Sequence, residues 1–420
     1  MSLKFSQLGA RQTESDIARL MTFALQRPDV LSLAAGFTDN DTLPLEKLTK
    51  LAMEIRDEGD LGALQYGSNQ GSPDLRSVLA RRLQCQDGVD STYGSDRTFI
   101  TNGSQQALYL AVQTLCDAGD IVLVEQPTYF VFLEMLRGLG VKAVSMPMRA
   151  NGDVDAVALA LMLKGYAESG DIDRVKAVYL VSYYSNPSGH SVSLDCKKAL
   201  LELLAAYDGR IALFEDAAYR ELYYDRPFEA PSCVALQAAR GSVPVFYTTT
   251  LTKPFATGLK VGYGYCTDED WLSRMLAIKG QQDFGTANYN QTLLLKVLTS
   301  GLFDEHLRTL RMSYYKKMMA LDEVLSQNLA DCGWTWERPE GGLYIWASAP
   351  PEIETGFDSK FHASAIEEGV MYVPGELCYS ECQVKCKARI SFGVLRTEQL
   401  KQAARRFARA AKRFSLIKTL

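Results

Sequence analysis

Between about residues 97 and 265 the chain alternates short, nearly continuous apolar runs with longer segments in which apolar positions recur every three to four residues. The runs predict strands at Thr98–Thr101, Ile121–Glu125, Ala143–Met146, Ala177–Ser182, Ile211–Glu215, Pro244–Thr248 and Leu259–Tyr265. Several of them show no polar alternation, which is the pattern of strands covered on both faces. Helical periodicities such as Gln105–Cys116 and Leu194–Tyr207 lie between many of these runs. The alternation predicts α/β architecture: a mostly parallel seven-stranded sheet with helices on both sides. Past Phe303 long helical stretches take over, with strands predicted at Leu343–Trp346 and Arg389–Phe392 and a closing amphipathic helix at Thr397–Arg413. The expected organisation is a large α/β domain over 45–301, a smaller α+β domain over 302–420, and an N-terminal segment 1–44 packing with the smaller domain.

Composition narrows the function without changing this picture. A chain of 420 residues exceeds the size at which one core stops growing, so two lobes are expected. The net charge of -5 argues against a nucleic-acid partner. No apolar run reaches the roughly 20 residues that span a bilayer, and the N-terminus lacks the apolar stretch of a secretory leader, so a cytoplasmic protein is expected. Nine cysteines in this length do not form a disulfide framework. Cys378, Cys382 and Cys386 recur every four residues and would share one face of a helix. Their spacing is no standard zinc or iron–sulfur pattern, so reduced thiols and no metal are expected. No G-x-G-x-x-G run opens a helix after a strand, which removes a dinucleotide-binding oxidoreductase.

Candidate chemistry collects where predicted strands end. Lys253 stands in Thr250-Leu-Thr252-Lys253, after a strand of β-branched and aromatic residues, at the position where α/β sheets place ligands. A lysine amine titrates near pH 10.4 and becomes nucleophilic at neutral pH only when desolvation or a nearby cation lowers that value. Alone, it reads equally as a surface lysine beside a turn. Phe99-Ile-Thr-Asn-Gly103-Ser104-Gln105-Gln106 reads as strand, tight turn and helix start, where free N–H groups and the helix dipole attract an anion. A plain N-cap by Ser104 accounts for that segment as well. Ile211-Ala-Leu-Phe-Glu215-Asp216-Ala-Ala-Tyr219 is a strand ending in acid, with Glu215 on the opposite face; Asp216 as a helix N-cap is the simpler alternative. Asn186-Pro-Ser-Gly189 is a turn signal. Arg389 offers a planar fork suited to a carboxylate, or else a strand-end ion pair worth under about 1 kcal/mol.

In this order along the chain, these segments resemble the fold-type-I pyridoxal-phosphate (PLP) aminotransferases of class I/II. Within them Gly103-Ser-Gln-Gln and the Asp216/Tyr219 spacing look closest to the aminoadipate/kynurenine-type transaminases. The resemblance spans Leu31 to Phe392. It implies that Lys253 carries PLP as a Schiff base. The family writes this motif S-x-S-K followed by G-x-R-x-G. Here Thr250 and Thr252 keep the hydroxyls, and Lys260 replaces the phosphate-binding arginine with a compact charge. It further implies that Gly103, Ser104 and Gln105 hold the phosphate, and that Tyr129, in Glu125-Gln-Pro-Thr-Tyr129, stacks on the pyridine ring; a core tyrosine is the alternative. Asn186 and Tyr219 would bond the phenolic oxygen, and Asp216 would pair with the ring nitrogen. Lys253, Asp216 and Tyr219 are thus the catalytic residues implied. Arg389, Asn186 and Gly36, in Leu33-Ala-Ala-Gly-Phe, would hold the substrate carboxylate, glycine suiting a close backbone approach. Tyr66 would reach the phosphate in the partner subunit, which implies a homodimer with shared active sites, and Asn288 or Gln291 would approach across that interface. Glu340-Gly-Gly-Leu-Tyr344 and Val373-Pro374-Gly375 match structural turns of the smaller domain.

The implied reaction moves an amino group from an α-amino acid to a 2-oxo acid by a ping-pong mechanism. A lyase, decarboxylase or biosynthetic synthase on the same fold would keep Lys253, Asp216 and Asn186, and fold alone does not separate these. A ligand sensor fused to a basic winged-helix domain is disfavoured by the roughly 30 residues before Leu31 and by the negative charge.

Overall fold

A computed structural model describes residues 3–237, 243–381 and 384–416. Seven strands form one sheet in the order Thr98–Thr101, Gly262–Cys266, Val245–Thr250, Ala212–Asp216, Val175–Val181, Ile121–Val124 and Lys142–Ser145. Neighbours are parallel except around Gly262–Cys266, which runs antiparallel to both its partners. The interior strands are buried at nearly every position, which is why their sequences lack alternation, and the edge strand Lys142–Ser145 is half-buried. Helices Gly103–Leu115 and Glu269–Gln282 cover one face, where Phe99, Phe214, Phe246 and Trp271 form one aromatic cluster.

The strand expected from Leu259 begins later. Thr257–Leu259 is a single 3₁₀ turn, and Lys260 takes a left-handed backbone (φ 57°) before the chain rejoins the sheet at Gly262. Gly262 lies against the turn that starts helix Gly103–Leu115: a Cβ there would meet the Gly103 carbonyl carbon at 2.5 Å and the Ser104 nitrogen at 2.6 Å. No other residue permits that approach.

The C-terminal third builds a second sheet, Val373–Pro374, Lys387–Ser391 and Tyr344–Ser348, all antiparallel. The long helix Leu302–Leu329 and the closing helix Thr397–Leu416 pack on each other, the latter through Leu400, Ala403, Ala404, Phe407, Ala408 and Ala411. The N-terminal segment touches both units. Leu31–Ser32 pairs with Val370–Met371, whereas Arg11 and Gln12 donate to the carbonyls of Gly138 and Leu139 at the end of helix Phe130–Leu139. Those carbonyls have no intrahelical donor, so a cationic and an amide side chain satisfy them.

Cys378 is buried at the end of a short 3₁₀ turn, its thiol pushed up to about 12 by desolvation. Cys386 is half-buried, and Cys382 lies outside the described residues. The described residues between 378 and 386 form no helix, so Cys378 and Cys386 share no helical face. Among the described residues no helix is long and apolar enough to cross a membrane, and no cluster of three metal-ligating side chains occurs.

Candidate active site

Strands Val175–Val181, Ala212–Asp216 and Val245–Thr250 all end at one cavity of about 370 Å³. Parallel strands leave their C-terminal ends and the N-termini of the following helices on a common edge, so a site there receives side chains from several segments at once. Gly103, Ser104, Gln105, Tyr129, Asn186, Asp216, Tyr219, Thr250, Thr252, Lys253 and Lys260 line it together.

Asp216 forms the floor. It is buried, with Oδ1 accepting from the Ala218 N–H and Oδ2 from the Tyr179 hydroxyl, each at 3.0 Å. Desolvation raises its pKa to about 6 against those two bonds. No cation pairs with it among the described residues. Glu215 points to the other face as strand alternation requires, where it meets Lys197 at 2.9 Å in a fully buried ion pair.

Lys253 follows the end of strand Val245–Thr250 and lines the same cavity. Its Nζ donates to the Gly36 carbonyl. Desolvation lowers its pKa, Arg389 and Lys260 lower it further, and Tyr344 opposes them. The amine is thereby poised to lose its proton more readily than a free lysine.

At one end lies the start of helix Gly103–Leu115. The residue before it is Asn102, so Ser104 is not the N-cap; its side chain faces the cavity. Thr250 and Thr252 bring hydroxyls 2.7 Å apart, and Lys260 stands exposed at the rim. Backbone N–H groups, hydroxyls and an ammonium thus line the same cavity, a donor set that suits a phosphate. Tyr129 donates to Gln105 Oε1 at 3.4 Å, and burial raises its pKa.

Arg389 is buried behind the cavity. Its Nη1 donates to Asn186 Oδ1 at 2.8 Å and its Nη2 to the Ala34 carbonyl at 2.7 Å, while Nε is buried without a partner. The guanidinium lies 4.3 Å from the Tyr344 ring centroid, and the Tyr344 hydroxyl is 3.1 Å from that of Tyr219. These contacts rule out the surface ion pair that the sequence left open.

Two expectations fall elsewhere. Tyr66 is 84% exposed and stacks edge-on with Phe284, away from this chain's cavity. Gln291 is a correction: it is fully buried, accepting from the Ser72 N–H at 2.8 Å and donating to the Thr286 carbonyl at 2.7 Å, so it is committed within its own chain and does not cross to a partner. Asn288 is exposed and bonds the Gly62 carbonyl. Sequence reasoning passed over Phe37, Val181, Ala218, Thr257 and Gly258 in the lining, and Tyr344, Tyr179 and Glu125 behind it. Tyr179 carried one readable signal, a polar tip inside an apolar strand.

A mostly parallel seven-stranded sheet with a lysine, a carboxylate that meets no cation among the described residues, and a helix start at its strand ends defines a fold-type-I transferase. The family described as aminotransferase class I and II matches residues 28–407, and this chain belongs to it. It is 29% identical over 408 residues to the aromatic-amino-acid aminotransferase 1 of Thermococcus litoralis, covering 97% of this chain and 94% of that protein. It is likewise 29% identical over 405 residues to the 2-aminoadipate transaminase of Thermus thermophilus, 96% of each. The kynurenine aminotransferase of Pyrococcus horikoshii, solved with PMP, superposes with a TM-score of 0.88 at 30% identity, covering 98% of this chain and 97% of that one. The chain is a PLP-dependent aminotransferase, and the cavity fits that cofactor: N–H groups, hydroxyls and an ammonium for its phosphate, a buried carboxylate for its ring nitrogen, and a desolvated lysine in the same lining.

Proposed function

We propose that this aminotransferase works by ping-pong half-reactions, with donors drawn from the 2-aminoadipate, kynurenine, aromatic and glutamate classes. The observation that carries the residue assignment is Asp216, a buried carboxylate with no cation partner among the described residues, lining one cavity with a desolvated Lys253. When bound, PLP supplies a protonated pyridine ring that accepts electrons from the donor's α-carbon. Asp216 holds the proton on the ring nitrogen by its charge. Gly103, Ser104, Gln105, Thr250, Thr252 and Lys260 would hold the phosphate, Tyr129 would pack against the ring, and Asn186 and Tyr219 would hold its phenolic oxygen.

Lys253 retains the cofactor between turnovers. Its Nζ would remove the proton from the donor's α-carbon and later return it, and desolvation lowers its basicity in the direction that this role requires. Arg389 holds the donor's α-carboxylate beside Gly36, aided by a free Nε and by burial.

Exposed Leu61, Leu64, Tyr66 and Phe284 support a homodimer in which Tyr66 completes the partner's phosphate site. The same reading takes 45–301 as the cofactor-binding domain, 302–420 as the smaller domain and 1–44 as a segment serving both, in a cytoplasmic enzyme.

The test is the visible spectrum of the PLP-loaded protein with a panel of 2-aminoadipate, glutamate, kynurenine and aromatic donors, beside Lys253→Ala. A Lys253-dependent band that bleaches with a donor and recovers with a 2-oxo acid supports the reading. A band that forms but never converts refutes the half-reactions, and a band indifferent to Lys253 refutes the assignment.

A further inference from the structure

Beneath the cavity floor a phenol and a second acid surround Asp216. Tyr179, on strand Val175–Val181, is fully buried with its ring stacked on Phe132 at 3.9 Å between centroids. Its hydroxyl donates to Asp216 Oδ2 at 3.0 Å, while Oδ1 takes the Ala218 N–H. Glu125, just past the adjacent strand Ile121–Val124, is also buried; it accepts from the Val181 N–H at 3.0 Å and the Ser185 hydroxyl at 3.3 Å.

We propose that Tyr179 is a positioning residue for the reaction: its hydroxyl fixes the plane of the Asp216 carboxylate and favours the charged form that meets the cofactor's ring nitrogen. The proposal rests on the assignment of Asp216 made above. A carboxylate turns freely about its Cβ–Cγ bond unless both oxygens are engaged, and here one donor is backbone and the other is Tyr179. Hydrogen bonds to an ionised group stabilise that form against the cost of burial. The phenol is a dependable donor, because desolvation and the charge of Asp216 hold its own pKa well above the ordinary range. Its place is equally constrained, since stacking on Phe132 and burial on an interior strand leave the ring one position.

The titratable groups around Asp216 are Tyr179, Glu125 and Tyr129, with Lys253 and Tyr219 on the same cavity. Burial raises Tyr179, Tyr129 and Tyr219, and it pushes Glu125 up to about 8. Glu125 is therefore neutral at pH 7 and puts no second negative charge beside Asp216. In the acid range Asp216 is the one of these groups that changes charge. Removing the Tyr179 hydroxyl withdraws a stabiliser of the anion, so the Asp216 pKa moves further up and the cofactor loses its counter-charge at a higher pH.

The experiment is titration of the cofactor-free protein with pyridoxal phosphate, followed by absorbance between pH 5 and 8.5, for wild type, Tyr179→Phe and Asp216→Asn. The phosphate's own second ionisation near pH 6 is common to all three, so differences between the curves report the carboxylate. Tyr179→Phe keeps the stacked ring and should move the acid limb of affinity up by about one pH unit, a loss of roughly fivefold at pH 6 that approaches about tenfold at pH 5 and shrinks to less than about threefold at pH 8. Asp216→Asn should flatten the limb that belongs to the carboxylate. An equal loss for Tyr179→Phe at every pH means a purely structural role and overturns the proposal. So does a Tyr179→Phe curve that superimposes on wild type while Asp216→Asn flattens its own. If Asp216→Asn leaves the limb unchanged, the Asp216 assignment fails and this proposal with it. Should Tyr179→Phe not fold, 3-fluorotyrosine at position 179, a stronger donor of the same shape, must move the limb down, and an unmoved limb overturns the proposal.

Discussion

Replacing Gly262 by alanine puts a methyl group 2.5 Å from the Gly103 carbonyl carbon, 2.6 Å from the Ser104 nitrogen and 2.8 Å from the Gly103 Cα. All three are backbone atoms of the turn that opens helix Gly103–Leu115, so no side-chain rotation relieves them. Carbon contacts settle at about 3.5–4.0 Å, so strand and helix start must separate by about 1 Å. Overpacking of this kind costs about 1–3 kcal/mol, and alanine's smaller unfolded-state entropy returns about 0.4–1 kcal/mol, leaving a net loss of roughly 1–2 kcal/mol. The displaced atoms carry the N–H groups at the cavity's anion end. Losing one hydrogen bond to a charged phosphate, worth about 1.5–3 kcal/mol, weakens cofactor binding roughly 10- to 100-fold. Gly264→Ala is the control. Its methyl would meet the Tyr247 carbonyl and the Phe99 ring, both at 2.4 Å, in the sheet interior and outside the cavity lining. Thermal melts of the cofactor-free variants and cofactor titrations by absorbance read the two effects separately. Gly264→Ala should lose comparable stability while binding cofactor within about twofold of wild type. If Gly262→Ala binds as wild type does, or if Gly264→Ala weakens binding as much, the steric argument is wrong.

Asp216 makes the cofactor-free protein pH-sensitive. Its folded pKa is raised from the ordinary 3.8 to about 6, so its stabilising contribution is full below pH 3.8 and is lost as the pH rises through 6. That loss is on the order of 3 kcal/mol, and Asp216→Asn should gain stability over wild type across this interval in melts run from pH 4 to 7. Lys197→Met strands the fully buried Glu215 and should cost about 3–5 kcal/mol by denaturant unfolding; Lys197→Met with Glu215→Leu should recover most of it. Lys260→Ala should weaken pyridoxal phosphate binding and flatten its dependence on salt, whereas Lys260→Arg should bind at least as well as wild type, as measured by titration at 50 and 500 mM salt.

The strands of the large sheet were legible because doubly covered parallel strands are written as unbroken apolar runs. The observed strands 121–124, 175–181 and 212–216 fall where those runs lie. The lysine, the acid and the helix start were legible for a related reason: each stands at the end of such a run, where the sheet delivers it to one edge. The strand start expected at Leu259 failed because Leu259 and Lys260 belong to the turn that carries the chain round the cavity rim, a placement set by the helix start that Gly262 touches. Gln291 looked available to a partner because an amide's sequence neighbours do not reveal that Ser72 and Thr286 engage it.

By itself, then, the sequence determined which segments become the strands of the large sheet, which residues stand at their ends, and the family the chain resembles. These are local properties, settled by the periodicity and residue type of a few consecutive positions. Only the tertiary structure decided that Gly262–Cys266 enters the sheet antiparallel between two strands, that Arg389 holds Asn186 and Ala34 across separations of 203 and 355 residues, and that Tyr179 completes Asp216. Each depends on which buried surfaces meet. Periodicity fixes the face a side chain turns to, and the packing of the whole chain selects its partner there.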